Sequence, residues 1–370
     1  MSRRPGIPLG RIAGVPVFLA PSWFAVAAVV VLVFGPQVQG SLGSGAVESY
    51  LVAAAYSVLL LVSVLVHEFA HALTARALGL PVEQVVANLW GGHTQFTDEA
   101  PTPARSALVA VVGPLSNAAL AGLGALALAA VPSHGVTRLL LVALVFSNAF
   151  VAAFNLAPGL PLDGGRVVES LVWAVTGRRW AGTLAAGWCG RVVAVGVLAW
   201  AVLLPLSRGQ SPSTFTLVWG AMIALLLWQG ATSAIAVGRL RRGAARLHLA
   251  QHVEPARGAP AWDDAWRAST TPDAHVVALD AAGQPVGILL KEDARRLLAG
   301  PGGPPAGTAL TAVMTVLDPV AVVPAWASGE DVLHAVAGSA VRMLVVVDEH
   351  GAVVGVADVG GIAAALTGHP

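Results

Sequence analysis

The chain is 370 residues long, 56% hydrophobic and only 11% charged, with a formal net charge of +1 and a mean hydropathy of +0.74. An ordinary soluble domain carries roughly 25% charged residues, so water is not the main solvent for most of this sequence. The near-neutral charge excludes the broad basic field of a nucleic-acid binder, and a single cysteine, Cys189, excludes an internal disulfide or a multi-cysteine metal site.

Arg3 and Arg4 precede a first apolar run, about Val15–Phe34, that lacks a small-residue cleavage pattern and therefore reads as a retained span. A second run, about Tyr50–Ala70, closes on His67-Glu68-Phe69-Ala70-His71. On a helix, histidines at i and i+4 project from one face one turn apart. Both imidazoles can then reach one metal ion while Glu68 lies close to a metal-bound water. Three ionisable groups at the edge of hydrocarbon are costly unless paired or metal-bound, and this placement points to hydrolysis inside a bilayer.

Next, β-branched runs flank Gly91-Gly92 in Pro81–Phe96, predicting a short hairpin or edge strand at the membrane surface. Spans three and four are expected at about Arg105–Val131 and Val136–Leu156, each near the roughly 20 residues a crossing helix needs. In Asn155–Gly165 the chain reads N-L-A-P-G-L-P-L-D-G-G, and Pro158 and Pro161 break the fourth span. Broken backbone is tolerated at membrane depth only where protein or a water-lined cavity satisfies it. Asp163, an acid in this apolar stretch, is the best candidate for the third ligand of a zinc ion, one per chain, with Gly164 and Gly165 permitting tight backbone beside it. Glu68 would then serve as general base, and Asn155 could donate to a developing oxyanion.

Spans five and six follow at about Ala181–Leu206 and Thr214–Val237. Arginines from Arg3 to Arg246 cluster at the N-terminal, second, fourth and C-terminal connections, whereas the opposite loops offer Arg138 and Arg208. The positive-inside rule then places both termini in the cytoplasm and the His67–Asp163 group at the cytoplasmic side. Beyond Arg246 charge returns, and strand-like and helix-like runs alternate. The segment from Ala274 to Gly287 is echoed by that from Met343 to Gly355, predicting a duplicated α/β module. The expected organisation is a six-span polytopic helical membrane domain over 1–246 and a small cytoplasmic α/β pair over 247–370, with copies at 247–300 and 308–368.

The H-E-F-A-H pentapeptide on the second span and N-L-A-P-G-L-P-L-D-G on the fourth resemble the site-2 protease family of intramembrane zinc metalloproteases. Gly113-Pro114-Leu115-Ser116-Asn117 resembles a G-P-x-x-N element of that family. The resemblance covers about Gly6 to Leu240 and implies His67, His71 and Asp163 as ligands, Glu68 as catalytic base and Asn117 near the site wall. The tail resembles paired CBS motifs, and the arrangement is similar to the CBS-bearing branch that includes sporulation-type pro-sigma-factor processing proteases. The family implies a multi-pass protein of a bacterial plasma membrane that cleaves a membrane-tethered regulator such as an anti-sigma or pro-sigma factor. Where nucleotide-binding CBS motifs carry Gly-x-x-Ser/Thr-x-x-Asp, the first copy here has Leu290 before Asp293, and the second has Asp358 and then Gly361. No nucleotide residues are assigned, and a structural or dimerising role for the pair stands equally. Two other classes fit part of the pattern. A CBS-bearing channel or transporter accounts for spans and tail without calling for the matched acid, and a catalytically silent substrate-binding scaffold has no need of Glu68.

Overall fold

The structure, a computed structural model, describes residues 6–12, 14–88, 91–96, 102–268, 274–299, 307–318, 321–338 and 342–367. Arg3, Arg4, Leu89, Trp90 and Val320 lie outside the described residues. Contacts divide the chain into two compact units, Met1–Ala236 and Val237–Pro370.

The first unit opens with strands β1 (Ile7–Ile12) and β2 (Val15–Leu19), followed by α1 (Ser22–Leu42) and α2 (Ala46–Ala77). Strands β3 (Val82–Asn88) and β4 (Gly91–Phe96) form the expected hairpin. The helices α3 (Pro103–Leu128), α4 (Val136–Asn155), α5 (Asp163–Thr176), α6 (Arg179–Ser207) and α7 (Thr214–Ala244) complete it. Six of these, α1 to α4, α6 and α7, are long and apolar enough to cross a membrane. With its α/β second unit the chain is a polytopic helical membrane protein.

The first span differs from its expected start. Val15–Leu19 is not the beginning of a helix but a strand, and its pairs run antiparallel to β1 and parallel to β3, giving a sheet ordered β1-β2-β3-β4. Val15, Val17 and Leu19 point inward at period two and are buried. Val15 and Val17 pack on Ala72 with Val85, and Phe69 flanks that cluster, so the sheet is braced against the part of α2 that carries the pentapeptide.

Helix α2 has 32 residues and is roughly 48 Å long at 1.5 Å per residue. Its buried positions, among them Ser49, Val52, Ala53, Tyr56, Ser63, His67, His71 and Ala75, recur at helical spacing and make one stripe toward the protein interior. Small residues such as Ala53, Ala72 and Ala75 are fully buried there, and close packing of this kind is the main source of cohesion between helices in lipid.

In the second unit the last turns of α7 lead to a short 3-10 turn, Leu249–His252, and to β5 (Val253–Pro260). The remaining elements are α8 (Ala265–Ala268), β6 (His275–Leu279), β7 (Pro285–Leu289), α9 (Lys291–Ala299), β8 (Thr315–Val316), β9 (Val322–Pro324), α10 (Gly329–Gly338), β10 (Met343–Val347), β11 (Val353–Asp358) and α11 (Val359–Thr367). Seven strands form one sheet in the order β8-β7-β6-β5-β11-β10-β9. The two segments that echo each other in sequence fold into like turns. Asp280 accepts from the Ala282 and Gln284 amides, and Asp348 accepts likewise from His350 and Ala352. Gly283 and Gly351 both take φ of 80°, a left-handed conformation that favours glycine. The division at Ala236 falls earlier than the compositional change after Arg246 because Leu240 and Ala244, still on α7, pack into this unit's core with Leu344, Val345 and Ile362.

Candidate metal centre and active site

His67 and His71 continue the buried stripe of α2, and both side chains are less than one-tenth exposed. The Nε2 atoms lie 3.1 Å apart, and Asp163 Oδ2 stands 3.2 Å from His67 Nε2 and 3.4 Å from His71 Nε2. Asp163 reaches them because Leu156–Leu162 leaves the end of α4 as a loop and re-enters helix at Asp163, the first residue of α5. Leu162, not Asp163, occupies the helix-capping position. The Leu160 amide donates to the Ala186 carbonyl on α6 at 3.0 Å, which anchors the loop. A side chain at Gly165 would collide with the backbone of Gly159 and Leu160, so the loop turns back on itself only with glycine there.

Each histidine is oriented from behind. His71 Nδ1 donates to the Val109 carbonyl at 2.7 Å, and a carbonyl can only accept. His67 Nδ1 donates to Asn117 Oδ1 at 2.5 Å. Asn117 Nδ2 in turn donates to Asn148 Oδ1 at 2.7 Å, and Asn148 Nδ2 donates to Ser63 Oγ at 3.1 Å and to the Leu144 carbonyl at 2.9 Å. Asn117 and Asn148 are almost wholly buried. With both Nδ1 atoms donating, the neutral imidazoles aim Nε2 lone pairs at each other and at the carboxylate. That set of electron pairs repels itself unless a cation sits among them. Zinc bonds of 2.0–2.2 Å in tetrahedral geometry give ligand-to-ligand edges of about 3.3–3.5 Å, close to the three separations observed. The residues therefore fit a three-ligand metal site, and among the described residues this is the group that could form one.

Helix α3 comes close enough to orient the pair because of Gly113. A Cβ there would collide with His71 Nε2 and lie 2.8 Å from His67 Cε1. Pro114 follows inside the helix, where proline distorts the local turn, one turn beyond the Val109 carbonyl.

A cavity of about 470 Å³ opens on this centre, lined among others by Ser63, His67, Glu68, Asn117, Asn148, Phe154, Asn155, Pro161 and Asp163. Glu68 is buried, 5% exposed, and lines the same cavity as His67. Asn155, the last residue of α4, also reaches the cavity. His67, Glu68, His71, Asn155 and Asp163, with Asn117, thus lie around one place. Missing from the sequence reading is Asn148, which a sequence offers only as one more polar residue in an apolar helix; such a residue is itself a signal at membrane depth.

His93 falls on β4 opposite Val86, its side chain outside the described residues. His134 bonds Ser133, and buried His275 contacts Glu254. In the tail Asp358 is engaged as a cap: its Oδ2 accepts from the Gly361 amide at 2.7 Å at the start of α11.

The model of peptidase family M50 matches residues 55–138 and 126–199. A Mycobacterium tuberculosis protein provisionally named zinc metalloprotease Rip3 is 36% identical over 229 residues, which cover 61% of this chain and 56% of that protein. The chain spans less than two thirds of the length of the curated relatives it matches. Among solved structures, the site-2 protease from Methanocaldococcus jannaschii is 21% identical and matches 62% of this chain and 94% of its own, with a TM-score of 0.42. The CBS domain protein TA0289 from Thermoplasma acidophilum is 18% identical and matches 33% of this chain and 72% of its own, with a TM-score of 0.25.

Proposed function

We propose that the membrane unit of this chain, in which residues 55–138 and 126–199 match the model of peptidase family M50, is of that family, and that the chain is an intramembrane zinc metalloendopeptidase that cuts a transmembrane or membrane-adjacent segment of another protein. The observation that carries the reading is the His67–His71–Asp163 triangle with Glu68 beside it on the wall of a cavity between membrane-spanning helices. Zinc held by His67, His71 and Asp163, with its fourth position open, would supply Lewis-acid polarisation of the scissile carbonyl and acidify a water molecule.

The remaining work falls to the chain's own groups. The Glu68 carboxylate takes the proton of the attacking water and delivers it to the leaving amide nitrogen, so one group serves both half-steps. The Asn155 side-chain amide donates to the oxygen on which negative charge develops. Asn117 and the Val109 carbonyl keep Nδ1 of each ligand protonated, leaving Nε2 free to ligate. The substrate must present an extended backbone, because a helix hides its carbonyls in hydrogen bonds. The β1–β4 sheet beside α2 offers edge strands for its addition.

The orientation supported by the arginine distribution puts both termini and the CBS pair in the cytoplasm of a bacterial cell. The substrate proposed is a membrane-tethered regulator, and the CBS pair is proposed to modulate cleavage or join two copies. The test is co-expression of candidate single-span proteins with the chain and with its Glu68→Gln variant. Fragments that form only with the unaltered chain support the reading. Identical fragment patterns from both would refute it.

A further inference from the structure

Helix α6 carries an arginine, Arg191, within its apolar length. Its guanidinium lies between two indoles, 4.8 Å from the ring centres of Trp188 on α6 and Trp228 on α7. At the surface of the bundle Nη2 donates to Thr232 Oγ1 at 3.3 Å, while Nε is buried and has no acceptor among the described residues. Thr232 gives its own proton to the Trp228 carbonyl at 2.7 Å, so its oxygen is left to accept from the guanidinium. Among the described residues no carboxylate pairs with Arg191. The two helices hold the cluster in place. A Cβ at Gly190 would collide with the Leu160 carbonyl and stand 3.1 Å from Ala231 Cβ, so α6 and α7 meet closely one residue behind Arg191 and Thr232.

Depth follows from helix length. The chain rises roughly 24 Å from Arg191 to Ser207 and roughly 27 Å from Thr214 to Thr232, at 1.5 Å per residue. Hydrocarbon is about 30 Å thick, so both helices put the cluster near the boundary opposite the α6–α7 connection. Tryptophans favour that zone, and an arginine side chain there reaches the phosphates of the leaflet. Stacking on indoles offsets part of the cost of the charge but supplies no negative partner. The indoles are 52% and 42% exposed, and each adds an N–H donor. What such a cluster can receive from the lipid side is an acceptor-rich anion, to which a guanidinium presents a matching fork of donors. A zwitterionic headgroup would bring an ammonium toward a cation with no carboxylate to meet it. We infer that Arg191, Thr232, Trp188 and Trp228 form a binding site for the phosphate of an anionic phospholipid in the leaflet nearer the start of α6. The loop that carries Asp163 rests on the same α6–α7 contact at Gly190, so the bound lipid braces the seat of that residue.

Native mass spectrometry of the full-length protein in neutral detergent tests this without substrate or zinc, so its outcome is separate from that of the peptidase reading. Dioleoyl phosphatidylglycerol and dioleoyl phosphatidylcholine are titrated in parallel. A saturable phosphatidylglycerol adduct is expected, with half-saturation at least about fivefold below that of phosphatidylcholine. Half-saturation should rise at least about tenfold in Arg191→Gln, through loss of charge-assisted contacts, and about threefold in Trp188→Leu. It should stay unchanged in Arg208→Gln, which removes the same charge at the far end of α6. Trp188→Leu serves if Arg191→Gln does not fold. Equal binding of the two lipids, a phosphatidylglycerol adduct that these cluster variants leave intact, or equal weakening in Arg208→Gln would overturn the inference.

Discussion

Asn117 Oδ1 lies 2.5 Å from His67 Nδ1, and Asn117 is itself held by Asn148 at 2.7 Å, so one imidazole on α2 is oriented by a chain of amides from α3 and α4. Partners of this kind set the tautomer and ring plane of a metal-binding histidine, and their loss costs about 10–100-fold in metal affinity. Asn117→Ala is expected to weaken zinc binding within that range. Asn148→Ala should weaken it less, because Asn117 remains and loses only its own anchor. Competition with a chelator of known affinity measures both, and wild-type affinity in Asn117→Ala would show that the bond is incidental.

Zinc content should be near one per chain and should fall to background in His67→Ala/His71→Ala and in Asp163→Ala. Gly113→Ala should lower it too, although it removes no ligand, because the new Cβ drives into His71 Nε2. Elemental analysis of purified protein reads all of these. Full zinc in Gly113→Ala would mean that α3 can retreat from the site at little cost.

Glu68→Gln keeps the shape of the side chain and removes the proton acceptor. Cleavage of a membrane-tethered substrate should drop by at least about 10²-fold, the lower end of what general acid–base catalysis contributes, with zinc retained. Timed immunoblots of substrate fragments are sufficient. Activity within about tenfold of the unaltered chain would assign the proton transfers to another group.

Reporter fusions after residue 367 and within the 132–135 loop should report opposite sides of the membrane, the former cytoplasmic. Three helices long and apolar enough to cross, α4, α6 and α7, separate the two points, and the arginine distribution favours the cytoplasm for the latter part of the chain. The same side for both would remove the proposed depth of the metal centre.

A pH effect is expected in the second unit. Glu254 accepts from Lys291 and from His275, and these bonds, Lys291 first, hold its carboxyl below the ordinary glutamate range. A folded pKa below the unfolded one means that the unfolded chain binds more protons in between. The stabilisation is therefore present above about pH 4.3, the unperturbed glutamate value, and is lost as pH falls through the folded value. The side chain is 43% exposed, so the effect is at most about 1 kcal/mol. Amide exchange across β5 and β6 should show acid-sensitive protection that Glu254→Gln flattens, whereas an unchanged acid slope in that variant would place the sensitivity elsewhere.

The spans were legible because twenty-residue apolar stretches have few alternatives in water or lipid. The meeting of His67, His71 and Asp163 was legible for a related reason, since acids and imidazoles at membrane depth need each other or a metal. The β1–β2 hairpin was hidden by the same composition that revealed the spans. Val15-Pro16-Val17-Phe18-Leu19 is apolar on both faces and shows no polar alternation, so nothing local distinguishes it from the start of a helix. Strand β5 was hidden for the opposite reason. Two prolines and a glycine in Val253–Pro260 argue against a strand, and only its neighbours on either side supply the pairing. Asn148 is legible as a polar residue in lipid, but its role appears only when α2, α3 and α4 are packed together.

That same strand has a further consequence. Residues 253–255 pair with β11 of the second copy, and residues 256–260 pair with β6 of the first. The duplicated halves are thus joined through one strand at the head of the first copy. Excising or transplanting one of them would strip half of β5 and leave raw amides and carbonyls on a strand that is interior in the intact sheet. The two copies therefore share one continuous seven-stranded sheet through β5 rather than standing as separable modules.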